Sequence, residues 1–395
     1  MQVANMKRIK LGEQISLWLL VISCIVLLIS PNSKYYIIPN IEIYFFAFSF
    51  VVFALFGNHL LDKGNRHFSL SLLIFSSLYV CFFSVIHFER PFVTVIYEII
   101  FAVIFLSLNF RCRNWIYDKY IKLLSVLFVL GIVEYILINA GIDFFWGTYV
   151  REEMEFYQGI FTSIPIYYRE VPARFMAFCE EPGLVGTLSF FILITMDRLK
   201  YKKEFYIILV AGVLSFSMAF YLLGLLYYLL YFRKYLLSIK SILIITILVS
   251  FAMYFMWDVI DYRLLERVNS KDAIESLDNR NSEVVNKKFN EYVKSSDIFL
   301  GVGHRTYYDW KKKTENISVG LKEQLFMYGI VGVLMMFLIF SFIYLKYNGK
   351  NNKNLKIIIL YWVSFYQRSY WLFPPLIIVL FRNRNTYENR TLNIS

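Results

Sequence analysis

Charge is scarce in this chain of 395 residues: Asp, Glu, Lys and Arg make up 18% of it, against 58% hydrophobic residues. So few charges cannot cover the surface of a soluble protein of this length. Cysteine is scarce too. There are four, of which Cys24 and Cys81 sit inside apolar runs, and their spacing offers neither a disulfide framework nor a metal-ligand pattern. With four histidines and no HExxH, GxSxG, P-loop or CxxC, the chain lacks the signatures of metalloproteases, serine hydrolases, nucleotide-phosphate binders and thiol-redox proteins. No internal repeat, low-complexity tract or second soluble domain is visible. No cofactor is expected.

What the chain has instead is grease, including 39 Phe and 31 Tyr. Repeated apolar runs approach or exceed the roughly 18 residues that cross a bilayer. The first, ISLWLLVISCIVLLIS, follows Lys7, Arg8 and Lys10. No small-x-small cleavage site follows it, so it reads as a retained helix. Spans are expected near 15–30, 36–56, 68–88, 91–108, 120–142, 183–197, 238–257 and 324–345. Two longer runs, 205–232 and 355–381, read as hairpins of short helices, because Lys and Arg accumulate on the cytoplasmic side. A fold-back at SFSMAF keeps Arg233, Lys234 and Lys240 inside, together with the basic segments 57–67, 109–119 and 198–204. A tip near YQRSYW does the same for Lys346, Lys350, Lys353 and Lys356 before the last run and for Arg382 and Arg384 after it. The expectation is an all-α polytopic membrane protein of about twelve segments, a single transmembrane domain over 1–395 with both termini cytoplasmic.

Two long segments then face outward, 143–182 and 258–318. The first carries three Arg against seven acidic residues and the second eleven of each sign, so the net +12 belongs to the inner face. Anionic membrane lipid is the partner this implies, and no nucleic acid is needed to explain it. Within 258–318, Val284, Val285, Phe289, Tyr292 and Val293 recur at helical spacing, which predicts an amphipathic helix over about 281–295. Gly301 and Gly303 then supply a turn.

Three polar groups collect on the outer face. Arg174 lies near Glu180, Glu181 and Pro182. Arg280 precedes the amphipathic helix, and His304 and Arg305 follow it. Gln367 and Arg368 lie at the tip of the last hairpin. Pro182 suits the first position of a helix, which puts Glu180 or Glu181 near that helix's positive end. The bland account of each arginine is snorkelling or a neighbouring acid. The sharper one is a lipid diphosphate: guanidinium binds phosphate oxygens in bidentate fashion and stays charged, and a carboxylate or imidazole beside it can take a proton from an attacking sugar hydroxyl.

On these residues the chain resembles the O-antigen (repeat-unit) polymerases, the Wzy-type proteins of bacterial surface-polysaccharide pathways. RFMAFCEEPGLVG is similar to the family's R-x(6)-E-P-x(3)-G pattern at Arg174, Glu181, Pro182 and Gly186. LSFSMAFYLLGLL resembles its small-and-polar break between short helices, NRNSEVVNKKFNEYVKSSDIFLGVG the segment carrying Arg280, and KEQLFMYGIVGVLMMF the span that closes the large loop. The resemblance covers about 174–340. This chain lacks the arginine that often follows the serine break, and it has NISVG where many members have His-Asn. What the resemblance implies is a glycosyltransferase-type polymerase of the bacterial plasma (inner) membrane, GT-C-like at most by analogy of fold. It would join undecaprenyl-diphosphate-linked oligosaccharides into O-antigen or capsular polysaccharide, with a chain-length regulator protein as a candidate partner. Arg174, Glu181, Arg280 and His304 would be catalytic, and Arg305, Arg368 and Glu180 would bind substrate.

Other readings stay open. A related O-antigen ligase would use a histidine in the large loop, where His304 lies. A lipid-linked oligosaccharide flippase would also bind a lipid diphosphate, but such proteins usually show two matching halves and short loops. A secondary transporter needs charge at mid-membrane, where only Glu98 and Glu134 fall, and both read as packing or cavity residues.

Overall fold

The computed structural model describes residues 10–29, 41–88, 93–142, 147–151, 154–158, 160–165, 174–179, 181–236, 283–314, 320–367 and 371–382. Among these residues the apolar runs form helices, the structure that satisfies the backbone where no water can bond it. Five come first: α1 (Leu11–Val26), α2 (Ile41–Phe56), α3 (Arg66–Ile86), α4 (Val93–Ser107) and α5 (Phe110–Asn139). Ser23 and Ser49 join α1 to α2 through a buried hydroxyl pair at 2.6 Å. Among the described residues, Lys63–Ile86, Phe110–Asn139 and Leu321–Asn348 are long and apolar enough to cross a membrane, and five shorter apolar helices accompany them. Leu55, Leu78, Val85 and Leu338 stay exposed around the outside, which suits a lipid surface and not water. The expected spans that fall among the described residues are helical; 238–257 lies outside them. Among the described residues strands occur only in the polar segment 143–182, where β1 (Gly147–Arg151), β2 (Met154–Gln158) and β3 (Ser163–Pro165) form an antiparallel sheet in the order β1-β2-β3.

Both long apolar runs fold back. The first divides into α7 (Lys202–Leu214) and α8 (Met218–Leu236), following α6 (Pro182–Thr195). Gly186 near the start of α6 meets Ser217, and Phe190 one turn further along meets Tyr227, so α8 runs back beside α6. The last run gives α12 (Asn352–Gln367) and α13 (Pro374–Leu380). The Tyr361 hydroxyl donates to the Trp371 carbonyl at 2.6 Å, and Asn348 Nδ2 reaches the Leu380 carbonyl at 3.4 Å, so α13 retraces α12. Its two halves are unequal: α12 has 16 residues and α13 seven, about 10 Å at 1.5 Å per residue. It is buried throughout, against α6, α4 and α5, and so short a helix is tolerated because protein surrounds it.

The amphipathic helix forms as α9 (Glu283–Val293), followed by α10 (His304–Thr314) and α11 (Leu321–Asn348). These pack as a separate small core of Tyr292, Tyr307, Phe326 and Met327. Helix α11 breaks at Gly329, whose φ is 63°. The carbonyls freed near the break accept from the turn after α9: Val302 N donates to Phe326 O (2.8 Å) and Gly303 N to Met327 O (3.2 Å). Gly301 and Gly303 both have left-handed φ, and a Cβ on Gly301 would strike the Met327 carbonyl. The G-x-G pair is therefore a clamp on a kinked helix, not a nucleotide loop. Tyr292 closes the same clamp by reaching the Leu325 and Asp297 carbonyls, and burial pushes its hydroxyl pKa up, so it remains a donor.

Segments expected on the same side meet one another. At one end His87 bonds the Leu300 carbonyl at 3.0 Å, and Ile29 bridges Cys179. At the other, Leu61 bridges Leu108, Lys200 pairs with Asp118 at 3.6 Å, and Lys356 Nζ reaches the Leu230 carbonyl at 2.6 Å. Single cysteines test which end faces out, in a background without Cys24, Cys81, Cys112 and Cys179. Arg305, 83% exposed, should react with an impermeant thiol reagent on intact cells, and Leu199, 93% exposed, only after permeabilisation. Labelling of both from outside would overturn the arrangement.

Candidate functional site

Two of the four stretches that carry the resemblance fold onto one another. Residues 174–179 run beside the break between α7 and α8: Phe175 N donates to Leu214 O at 3.0 Å, and Arg174 Nε to Ser215 O at 3.3 Å. From the other side α6 presents Gly186. A Cβ there would collide with the Ser217 side chain and stand 3.1 Å from Ser215 Oγ, so only glycine admits the serine break so close to α6. The break bonds itself in part: Ser215 Oγ donates to Gly212 O at 2.6 Å, and Ser217 N donates to Ser215 Oγ at 3.3 Å. Ser217 Oγ, Thr187 Oγ1 and Ser189 Oγ are buried without a hydrogen-bond partner, leaving polar capacity unused around this contact.

Backbone strain marks the same place. Among the described residues, three that are not glycine have left-handed φ, and two of them are Ala177 (49°) and Phe216 (43°), one in each stretch. Such a conformation costs of order 1–3 kcal/mol and persists only where surrounding contacts impose it. Here Ala177 turns the chain so that Cys179 N returns to Met176 O at 3.1 Å and Glu181 arrives as the N-cap of α6. Pro182 takes the first helical position, as expected. The Glu181 side chain makes no capping bond, so its carboxylate lies at the positive end of α6 without being used to close the helix. Arg174 is half-buried, and its charge acts on the Tyr221 hydroxyl one turn into α8.

In the sequence, the residue that anchors this region reads only as a packing or cavity residue. Glu134 on α5 is 3% exposed, and its carboxylate accepts the backbone N–H groups of Ile160 (2.5 Å), Phe161 (2.6 Å) and Thr162 (2.8 Å). Its carboxylate thus holds the segment 160–162 to the bundle. Gly131, one turn before it, makes room: its Cβ would come within 3.0 Å of the Phe161 carbonyl and 3.4 Å of the Phe175 ring. Phe175 packs against Phe128 and Tyr135 of the same helix, so α5 supports Arg174 from behind. The signal available in the sequence was the cost of an acid inside a span, which requires donors from somewhere.

His304 and Arg305 occupy a different support. His304 opens α10 with its ring stacked on Tyr308 at 4.3 Å, and Arg305 faces Asp309 at 3.9 Å in an exposed i,i+4 pair, a geometry worth little to stability. Glu180, Arg280 and Arg368 lie outside the described residues. Among the described residues, no group of three or more His, Cys, Asp and Glu could hold a metal ion.

Comparison of the chain with protein-family models, with curated proteins and with solved structures gives no match.

Glu134→Gln measures the anchor. The amide keeps one acceptor oxygen and turns an NH2 toward backbone N–H groups, so at least one charge-assisted bond of about 1.5–3 kcal/mol is lost. The thermal midpoint of the purified protein in detergent should fall by several degrees, and an unchanged midpoint would show that the loop is held by other contacts.

Proposed function

We propose that this protein is a membrane glycosyltransferase that polymerises lipid-diphosphate-linked oligosaccharide repeat units, and that the contact between 174–186 and the Ser215–Ser217 break is its diphosphate site. The observation that carries this reading is the convergence there of a half-buried guanidinium, a carboxylate at a helix N-terminus, unsatisfied hydroxyls and two strained residues. A helix start stabilised by a salt bridge alone would need neither the strain nor the spare hydroxyls.

In this reading the hydroxyl of an acceptor repeat unit attacks the anomeric carbon of the growing glycan. The new glycosidic bond forms as the bond from that carbon to the diphosphate oxygen breaks, and the departing oxygen keeps the electron pair. Undecaprenyl diphosphate leaves with the charge that develops, and fixed guanidinium groups stabilise it without reorganising. Arg174 is the first of these, with Arg280, Arg305 and Arg368 completing the cationic surround. The proton released by the acceptor goes to Glu181, Glu180 or His304. The protein works in the bacterial inner membrane with its reaction on the outer face, and a chain-length regulator is its natural protein partner.

Deletion of the gene should leave surface lipid bearing one repeat unit and no ladder above it on electrophoresis. Loss of that first unit as well would instead indicate a flippase or ligase. Arg174→Lys keeps the charge but not the planar fork. If the lost bond forms mainly in the transition state, polymer formation should fall about ten- to a hundred-fold. Immunoblotting must show normal protein level, because a misfolded variant also makes no polymer. Normal ladders from well-expressed Arg174→Lys and Glu181→Gln variants would overturn the site.

A further inference from the structure

Toward the end of the bundle opposite that site, α5 and α7 leave an open groove of about 340 Å3 between them. The two helices run the same way. Lys200, just before α7, pairs with Asp118 early in α5, and the far end of α7 meets Phe175, which packs on Phe128 and Tyr135. The lining is therefore sorted by depth. Lys122 of α5 and Lys203 and Glu204 of α7 stand at the mouth, and Val126, Val129, Leu130 and Ile207 follow one to two turns further along. Val126, Val129 and Leu130 are exposed, so the groove opens sideways onto whatever surrounds the bundle.

The charges at the mouth are not spent on one another. Lys122 Nζ lies 3.0 Å from Asp118, but that carboxylate is shared with Lys200 (3.6 Å) and the Tyr201 hydroxyl (3.1 Å). Among the described residues, the side chains of Lys203 and Glu204 make no hydrogen bond or ion pair. Neighbours in a helix do not face one another, so this cation and this anion stand apart instead of cancelling. The floor beyond them is mostly branched, Ser125 being the one small residue in the described lining. Close approach of a second helix favours small residues, so an acyl chain suits this floor better than a protein span. Lipid tails are as apolar as the floor, so the tail contributes shape and selection falls to the headgroup.

We propose that this groove holds one phospholipid with an ethanolamine headgroup. Its phosphate lies on Lys203 and Lys122, its ammonium on Glu204, and one acyl chain runs over Val126, Val129, Leu130 and Ile207. Lysine binds phosphate as a point charge, and a primary ammonium brings three N–H donors to a carboxylate. A choline headgroup has the charge but no N–H to give. A glycerol headgroup leaves Glu204 beside the phosphate with no cation between them. The neighbouring segments 109–119 and 198–204 are basic, which puts this lipid in the inner leaflet. The inference does not depend on the polymerase reading.

The test is the thermal midpoint of the full-length protein in detergent, titrated with short-chain phosphatidylethanolamine, phosphatidylcholine and phosphatidylglycerol of equal tail length. The ethanolamine lipid should raise the midpoint at the lowest concentration. Lys203→Gln should raise its half-saturating concentration about three- to five-fold. Glu204→Gln should raise it for the ethanolamine lipid and lower it for the glycerol lipid, so that the preference is lost. Both positions lie at the rim, where these changes leave the packing of the helices intact. Val126→Trp, at an exposed position, fills the groove and should weaken the response to all three lipids. Equal responses or none in the unaltered protein, a preference for the glycerol lipid, or an ethanolamine preference that survives Glu204→Gln would overturn the proposal. An unchanged response in Val126→Trp would do the same, as would a dimer in light scattering that Val126→Trp dissociates, since a second copy would then fill the groove.

Discussion

In a hydrocarbon environment every backbone group must find its partner inside the protein, and this constraint organises the whole chain. An unbroken helix satisfies it alone. Each interruption must therefore be matched by a neighbour that supplies the missing bonds. The break at Ser215–Ser217 uses its own hydroxyl and the segment from Arg174. The kink at Gly329 uses the turn at 299–303. The corner after α11 uses Asn354, whose side chain reaches the carbonyls of Asn348 (2.8 Å) and Gly349 (2.9 Å). These three interruptions are fitted pairs, and one member of each pair is a glycine or a short polar side chain.

That pairing explains why some of the architecture could be read in advance. The spans follow from run length alone. The hairpin at 215–217 followed from the positions of Arg233 and Lys234, because a single crossing would have put basic residues outside. Helix α9 followed from the period of Val284, Val285, Phe289, Tyr292 and Val293, and it falls at 283–293. Arg174, Glu181 and Gly186 were legible as one motif. Their partner, the serine break, was legible as a second motif, but nothing in the spacing said that the two touch.

The rest escaped for physical reasons. Glu134 looks like any acid in a long helix, and its role depends on three N–H groups about 27 residues further on, a distance over which no local pattern carries information. The G-x-G pair was legible as a turn, but not as a turn that fits a kink in another helix. The three strands lie in a segment whose polarity announced a loop. The inequality of α12 and α13 comes from burial: α13 sits wholly inside the bundle, where a seven-residue helix suffices because it has no bilayer to span. Glu180, Arg280, Arg368 and the expected span 238–257 lie outside the described residues, so the candidate site is seen through Arg174 and Glu181.

The direction in which Arg174 is held bears on its role. A snorkelling arginine extends its guanidinium toward water and headgroups and makes no particular bond to the protein. Arg174 instead gives its Nε to the carbonyl of Ser215, the residue at which a helix stops. A lysine has one compact head group and cannot bond that carbonyl while presenting a second donor edge at a fixed angle, whereas a guanidinium can. The bond thus couples the orientation of a positive charge to the shape of the break, and the break to Gly186 on α6, which carries Glu181 at its start. Anything that shifts one of the three moves the others. On the proposed reading such coupling is what the site requires, because charge must stay in place while a bond to a neighbouring atom breaks.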